Sequence, residues 1–190
     1  MKLILATKNN NKVYELAEIL KGHEIITMSE AGFTEDIEET GKTFEENALI
    51  KAEAVCAASH LPVIADDSGL EVFALDMRPG IFSARYAGEG TSYKEKIEIL
   101  LEELKDKADR RARFVCCAAL CFPDKRRYTF RGEVYGSIAF SPKGENGFGY
   151  DPVFLFEDGR TFAEISAEEK NKFSHRSRAF HKLFDYLKII

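Results

Sequence analysis

Apolar residues recur along this chain with two periods, and the points where one gives way to the other predict its elements. Lys2 to Thr7 is a short apolar run, Lys8 to Lys12 is polar, and Val13, Leu16, Ala17, Ile19 and Leu20 then recur at helical spacing. The expectation is a strand, a polar turn and a helix. Glu24 to Thr27 predicts a second strand, followed by an acidic loop from Thr34 to Gly41. Thr43-Phe-Glu-Glu46 has the spacing of a capping box, in which hydroxyl and carboxylate satisfy free amides at a helix start. Ala-rich sequence extends that helix to Ser59.

Leu61 to Ala65 is a buried-type strand that the polar Asp66-Asp67-Ser68-Gly69 is expected to break, with strand character resuming from Leu70 to Leu75. Pro79-Gly80 marks a turn, and from Ser92 to Lys107 the apolar positions Ile97, Leu100, Leu101 and Leu104 define one helical face. Strands are predicted for Arg113 to Phe122, Arg127 to Phe140 and Val153 to Phe156, the first two joined by a turn at Pro123-Asp124. A second capping-box pattern at Ser166-Ala-Glu-Glu169, and a stripe of Ala179, Phe180, Leu183, Phe184 and Leu187, predict a helical C-terminus. Alternating strands and helices early, with hairpins later, predict an α/β protein with a mixed sheet.

Length and composition narrow the class without naming a function. A chain of 190 residues, 45% hydrophobic and 31% charged, is expected to form one globular domain over 1–190, with room for two lobes. A net charge of -5 argues against a nucleic-acid binder, which needs a basic surface for the phosphate backbone. No run approaches the length of a membrane span and no signal-peptide pattern leads the chain, so no membrane association and a cytoplasmic location are expected. The four cysteines, Cys56, Cys116, Cys117 and Cys121, lack zinc-ligand spacing and read as buried thiols.

Several polar clusters have the makings of chemistry. Thr7, Asn9 and Lys12 fall in the turn between a strand and a helix, where free amides and the helix dipole favour an anion; the segment reads equally as a structural turn. Asp66 and Asp67 repel each other unless a cation is near, and Mg²⁺ is the simplest partner for hard oxygen ligands. An Asp-capped turn is the plainer alternative there. Glu38 and Glu39 offer a further carboxylate or a merely solvated loop, and Lys51 offers a phosphate contact or an exposed charge. Asn146-Gly-Phe-Gly-Tyr-Asp-Pro152 is either a hairpin loop with inward aromatics or a loop that stacks on a base. Ser174-His175-Arg176, behind Lys170 and Lys172, supplies donors at a helix start or a solvated basic face.

In this order the motifs resemble the inosine triphosphate pyrophosphatase family, also called Ham1 or RdgB-like, over nearly the whole chain. Thr7-Lys-Asn-Asn-Asn-Lys12 fits its opening, Ala65-Asp-Asp-Ser-Gly-Leu70 its acidic turn, and Pro79-Gly80 with Ser83-Ala-Arg-Tyr-Ala-Gly88 its central signature. Gly147-Phe-Gly-Tyr-Asp-Pro152 and Ser174-His-Arg176 complete the set.

The resemblance implies a long twisted mixed sheet with two lobes flanking a nucleotide cleft, and a homodimer. It implies hydrolysis of ITP, dITP and XTP to the monophosphate and pyrophosphate, so that deaminated purines stay out of DNA and RNA. By the same resemblance Thr7, Lys8, Asn9, Asn10, Asn11, Lys12, Ser68 and Lys170 would contact the substrate, and Phe148, Gly149 and Tyr150 would form the loop that receives the base. Asp151, His175 and Arg176 would read its edge, Lys51 and Asp67 would be catalytic, and Glu38 with Asp67 would bind Mg²⁺. A Maf-like pyrophosphatase for modified pyrimidines shares the architecture but lacks the Ser174-His-Arg176 ending. A nucleotide-binding regulator without turnover would not need paired aspartates beside a phosphate.

Overall fold

The computed structural model describes residues 2–19, 22 and 24–190. Strand β1 (Lys2–Leu5) leads into helix α1 (Asn10–Ile19), β2 (Glu24–Thr27), α2 (Phe44–Ser59) and β3 (Val63–Val72). Then come α3 (Tyr93–Glu103), β4 (Arg111–Cys121), β5 (Arg127–Ile138), β6 (Phe154–Leu155), α4 (Ala167–Asn171) and α5 (His175–Leu187). The strands form one sheet in the order β2-β1-β3-β4-β5-β6. It is mixed: β1 runs parallel to both β2 and β3, while β5 and β6 are antiparallel. Leu20, expected on the first helix, lies outside the described residues, among which no helix is long and apolar enough to cross a membrane.

Contacts divide the chain into two units. The first comprises Met1–Asp67, Cys116–Gly132 and His175–Ile190, and the second Ser68–Val115 and Glu133–Ser174. In the first unit successive strand residues feed opposite cores, as the pleat requires. Leu3, Leu5, Ile64, Cys116 and Ala118 pack with Leu16 of α1 and with Ala179, Phe180 and Leu183 of α5. Ile4, Ala6, Val63, Ala65 and Ala119 pack instead with Ala48, Ala52 and Val55 of α2. Strands covered on both faces read as continuous apolar runs, which is why β1 and the start of β3 show no alternation. The second unit has its own core, in which Leu70, Val72, Phe114 and Val134 meet Ile97 and Leu100 of α3 together with Phe154 and Phe162.

The expected break at Asp66 to Gly69 does not occur: β3 continues through all four residues. These residues stay within a strand that lies between β1 and β4 in the sheet, so the carboxylates need not cap a turn. The chain leaves the strand only at Phe73–Leu75, a single 3₁₀ turn. The capping boxes also differ in detail. Thr43 Oγ1 accepts the Glu46 amide at 3.1 Å, but the Glu46 carboxylate accepts from Lys42 N rather than from Thr43 N. At α4, Ser166 Oγ accepts the Glu169 amide, whereas the Glu169 carboxylate pairs with Arg160. Both reciprocal bonds are present at α3, through Ser92 and Glu95, and at the 3₁₀ turn Phe162–Glu164, through Thr161 and Glu164.

Helix α5 begins against bare backbone of β5. A β-carbon at Gly132 would lie 2.1 Å from the His175 carbonyl oxygen and 2.5 Å from the Ala179 nitrogen. Gly132→Ala should therefore destabilise the fold by about 1–3 kcal/mol, the usual range for forced overpacking, read as a shifted midpoint in urea. An unchanged midpoint would mean that α5 slides at no cost.

Candidate active site

The polar turn after β1 is built from its own side chains. Thr7 Oγ1 accepts from Asn9 N at 3.1 Å, and Asn9 Oδ1 accepts from Asn11 N at 3.0 Å, so Asn9 caps the start of α1. Asn9, Asn10 and Asn11 are exposed. Lys8 is engaged elsewhere, donating to Thr34 O and to Asp36. Lys12, one turn into α1, is the residue of this segment that reaches β3, with Nζ 2.9 Å from Asp66 Oδ2.

Because β3 does not break, its pleat sends Asp66 and Asp67 to opposite faces, where different side chains contact each. Asp66 lies on the face shared with α1 and α5. Its Oδ2 takes Lys12 and also Arg176, whose Nε is 3.3 Å away, while Arg176 Nη1 binds Glu15 of α1. Burial alone would push the Asp66 carboxyl up, but Lys12, Arg176 and Lys51 outweigh it and hold the group well below the usual carboxylate range. Burial likewise works against the charge on Arg176, and Asp66 with Glu15 more than compensates, so that its guanidinium stays ionised.

Asp67 lies on the face of α2. Asn47 Nδ2 donates to its Oδ2 at 3.1 Å, and Lys51 Nζ stands 3.9 Å from its Oδ1. Lys51 also pairs with Glu39 at 2.6 Å. Here the balance reverses: burial raises the Asp67 carboxyl above its ordinary value, Lys51 lowers it only in part, and the nearby Glu39 charge raises it further. Lys51 is itself raised, since the attraction of Asp67, Asp66 and Glu39 exceeds the penalty of burial. The glutamate that reaches this group is thus Glu39, whereas Glu38, expected as the metal ligand, is exposed. Lys51 on α2 makes that selection, and local sequence carries no sign of it.

Asn47 is a site residue that sequence reasoning passed over. It is fully buried, and its Oδ1 accepts the Gly41 amide at 2.8 Å, so one amide side chain ties the acidic loop to Asp67. The available signal was an Asn in an Ala-rich helix, where it is a poor helix former without a reason to be there. Two carboxylates, Asp67 and Glu39, converge on Lys51 Nζ, and hard oxygen donors of this kind suit Mg²⁺. Among the described residues no third His, Cys, Asp or Glu joins them in a closed metal cage.

The second unit carries the glycine-flanked loop. Gly147 has φ +71°, and Asp151 Oδ2 accepts the Phe148 amide at 2.9 Å and Lys170 Nζ at 2.7 Å. Lys170 also lies over the Phe148 ring, 5.1 Å from its centroid. A β-carbon at Gly147 would sit 2.1 Å from Asp151 Oδ2, so this closure of the loop requires glycine there. Of the two aromatics, Tyr150 turns into the core and Phe148 is half-buried. Ser68 is half-buried on β3, and His175 and Arg176 are buried at the start of α5. Arg176 was expected to offer its donors to a base; at 2% exposure it presents them to Asp66 and Glu15.

The match to known proteins extends along almost the entire chain. The Ham1 family profile covers residues 3–186. The dITP/XTP pyrophosphatase of Bacillus subtilis (strain 168) is 52% identical over 185 residues, spanning 95% of this chain and 93% of that protein. The enzyme of the same name from Staphylococcus epidermidis (strain ATCC 12228) is 48% identical over 186 residues, 97% and 95% of the two chains. Among solved structures, the Staphylococcus aureus Ham1 protein superposes with a TM-score of 0.92 at 46% identity, over 99% of this chain and 98% of that one. A HAM1 protein from Coxiella burnetii gives 0.93 at 41% identity, with both chains fully covered. With profile, sequence and backbone in agreement from end to end, the chain belongs to the Ham1 family.

Proposed function

We propose that this chain hydrolyses deaminated purine nucleoside triphosphates, ITP, dITP and XTP, to the monophosphate and pyrophosphate, in a reaction that requires Mg²⁺. The observation that carries the reading is the buried Asp67 carboxylate, held by Asn47 and beside Lys51, which also pairs with Glu39. The names of its half-identical relatives supply the substrate class.

Water attacks the α-phosphorus, the bond to the β-phosphate oxygen breaks, and pyrophosphate departs. Asp67, buried beside Asn47 and Lys51, accepts the proton of the attacking water. Lys12 and Lys51 offset charge on the phosphate oxygens, aided by the amides at the start of α1. Asp67 and Glu39, rather than Glu38, would hold Mg²⁺ jointly with the phosphates, a mode that needs only one or two protein carboxylates. When bound, Mg²⁺ neutralises phosphate charge and lowers the proton affinity of the water.

The base carbonyl at position 6, present in hypoxanthine and xanthine and replaced by an amino group in adenine, calls for donors. His175 and Arg176 are the candidates, and Arg176 already directs Nε, Nη1 and Nη2 at Asp66 and Glu15. Phe148 is the candidate to stack on the ring. A panel of nucleoside triphosphates with Mg²⁺, scored separately for pyrophosphate and orthophosphate, tests the reading. The expected result is pyrophosphate from ITP, dITP and XTP, far slower turnover of ATP, and loss of activity on chelation. Primary release of orthophosphate, equal rates on ATP and ITP, or full activity in excess chelator would each reject it.

A further inference from the structure

The central signature Ser83-Ala-Arg-Tyr-Ala-Gly88 has no part in the reaction described so far, yet it is fastened on several sides. Ser83 Oγ accepts the Leu70 amide at 2.9 Å and donates to Gly80 O at 2.6 Å. The Tyr150 hydroxyl donates to Ser83 O at 3.0 Å. The next carbonyl, that of Ala84, accepts Lys96 Nζ at 2.7 Å. Lys96 lies 4.7 Å over the ring of Tyr93, and that ring meets Tyr150 edge-on with centroids 5.5 Å apart. The contacts close a ring: Ala84 to Lys96, Lys96 to Tyr93, Tyr93 to Tyr150, and Tyr150 back to Ser83.

Lys96 is the anomalous member. It is 4% exposed on a helix face otherwise occupied by Ile97 and Leu100, and among the described residues no carboxylate pairs with it. Burying an ammonium without a carboxylate is costly, and an apolar residue would fill the same space without that cost. What the ammonium adds is one charge-assisted bond to a carbonyl and one cation–π contact, both directed at the segments that hold Tyr150. Tyr93 touches the neighbouring loop residue as well, since a β-carbon at Gly149 would stand 3.6 Å from its Cε1.

We propose that Lys96 is a positioning residue for substrate binding, which through Ala84 and Tyr93 holds the loop Gly147–Asp151 in the conformation that receives the base. The inference rests on the reading that Phe148 of this loop stacks on the base. A loop ordered in advance loses less entropy on binding, so the contribution appears in affinity and leaves the chemical step alone.

The test is steady-state pyrophosphate release from ITP by the full chain and by Lys96→Met, Tyr150→Phe, the double variant and Phe148→Ala. Lys96→Met is expected to raise KM about tenfold, equivalent to roughly 1.4 kcal/mol, with kcat within about twofold. Tyr150→Phe should act in the same direction, and the double variant should exceed the larger single effect by little, since both changes open one ring of contacts. A normal KM in Lys96→Met beside a raised KM in Phe148→Ala would overturn the proposal, as would fully multiplicative effects or a matching fall in kcat. A normal KM in Phe148→Ala would instead reject the reading of the loop. Should Lys96→Met not fold, Tyr93→Leu takes its place in the cycle with the same expectation, and an unchanged KM there is equally fatal.

Discussion

Replacing Asp67 by Asn should lower turnover of ITP by about a thousandfold or more, the scale of losing a positioned general base, while leaving the fold intact. Asn matches the carboxylate in shape and still accepts the Asn47 amide, but it neither takes a proton nor contributes charge to Mg²⁺. Stability should move the other way. The folded chain raises the Asp67 carboxyl above its ordinary value of 3.8, chiefly through burial, so it binds that proton more tightly than the unfolded chain does. The ionised group therefore costs stability at neutral pH, and the cost disappears as pH falls through the folded value. At pH 7 the neutral variant should melt no lower than the parent. Its advantage should shrink in acid. Pyrophosphate release and circular dichroism melts at two pH values check both halves; substantial residual turnover would remove Asp67 from its role.

Removing the Arg176 guanidinium should be the most destabilising single change at the site. Arg176→Ala leaves the Asp66 carboxylate buried, with one oxygen already unpartnered and Lys12 as its remaining close cation. Breaking a buried pair from one side costs about 3–5 kcal/mol, which lowers the melting midpoint by on the order of 10 °C. The pH dependence has the opposite sign to that of Asp67. Asp66 is held below its ordinary value of 3.8, so its contribution is present above that pH and is lost as pH falls toward the depressed folded value. The gap between parent and variant should accordingly narrow in acid. Lys8→Ala is a control of the other kind: its pair with Asp36 is exposed to solvent, and its loss should leave the melting midpoint essentially unchanged. Equal, small losses in the two variants would mean that water enters and solvates Asp66.

The two aspartates show why the site was only half legible. Local pattern identified an acidic pair worth a cation, because like charges side by side need one. It also suggested that both share a turn and one metal. The unbroken pleat separates them, and each then takes a different electrostatic character from different helices: Lys12 and Arg176 hold Asp66 ionised, while burial beside Glu39 raises Asp67. Lys12 and Arg176 flank β3 from opposite ends of the chain, and no short window contains both.

By itself the sequence determined most of the strands and helices, since hydrophobic period and caps act within a few residues: β2 and α2 span the residues their patterns predicted, while the run of β3 through Asp66 to Gly69 did not follow from the pattern. It also determined the family, because five motifs in register leave few alternatives. Only the tertiary structure decided which polar residues are buried and against what. Glu39 rather than Glu38 meets Lys51, Asn47 bridges Gly41 and Asp67, and Lys96 turns its ammonium inward toward Ala84. The reason is physical: a charge acquires its energy from neighbours a few ångströms away, and here those neighbours arrive from distant parts of the chain.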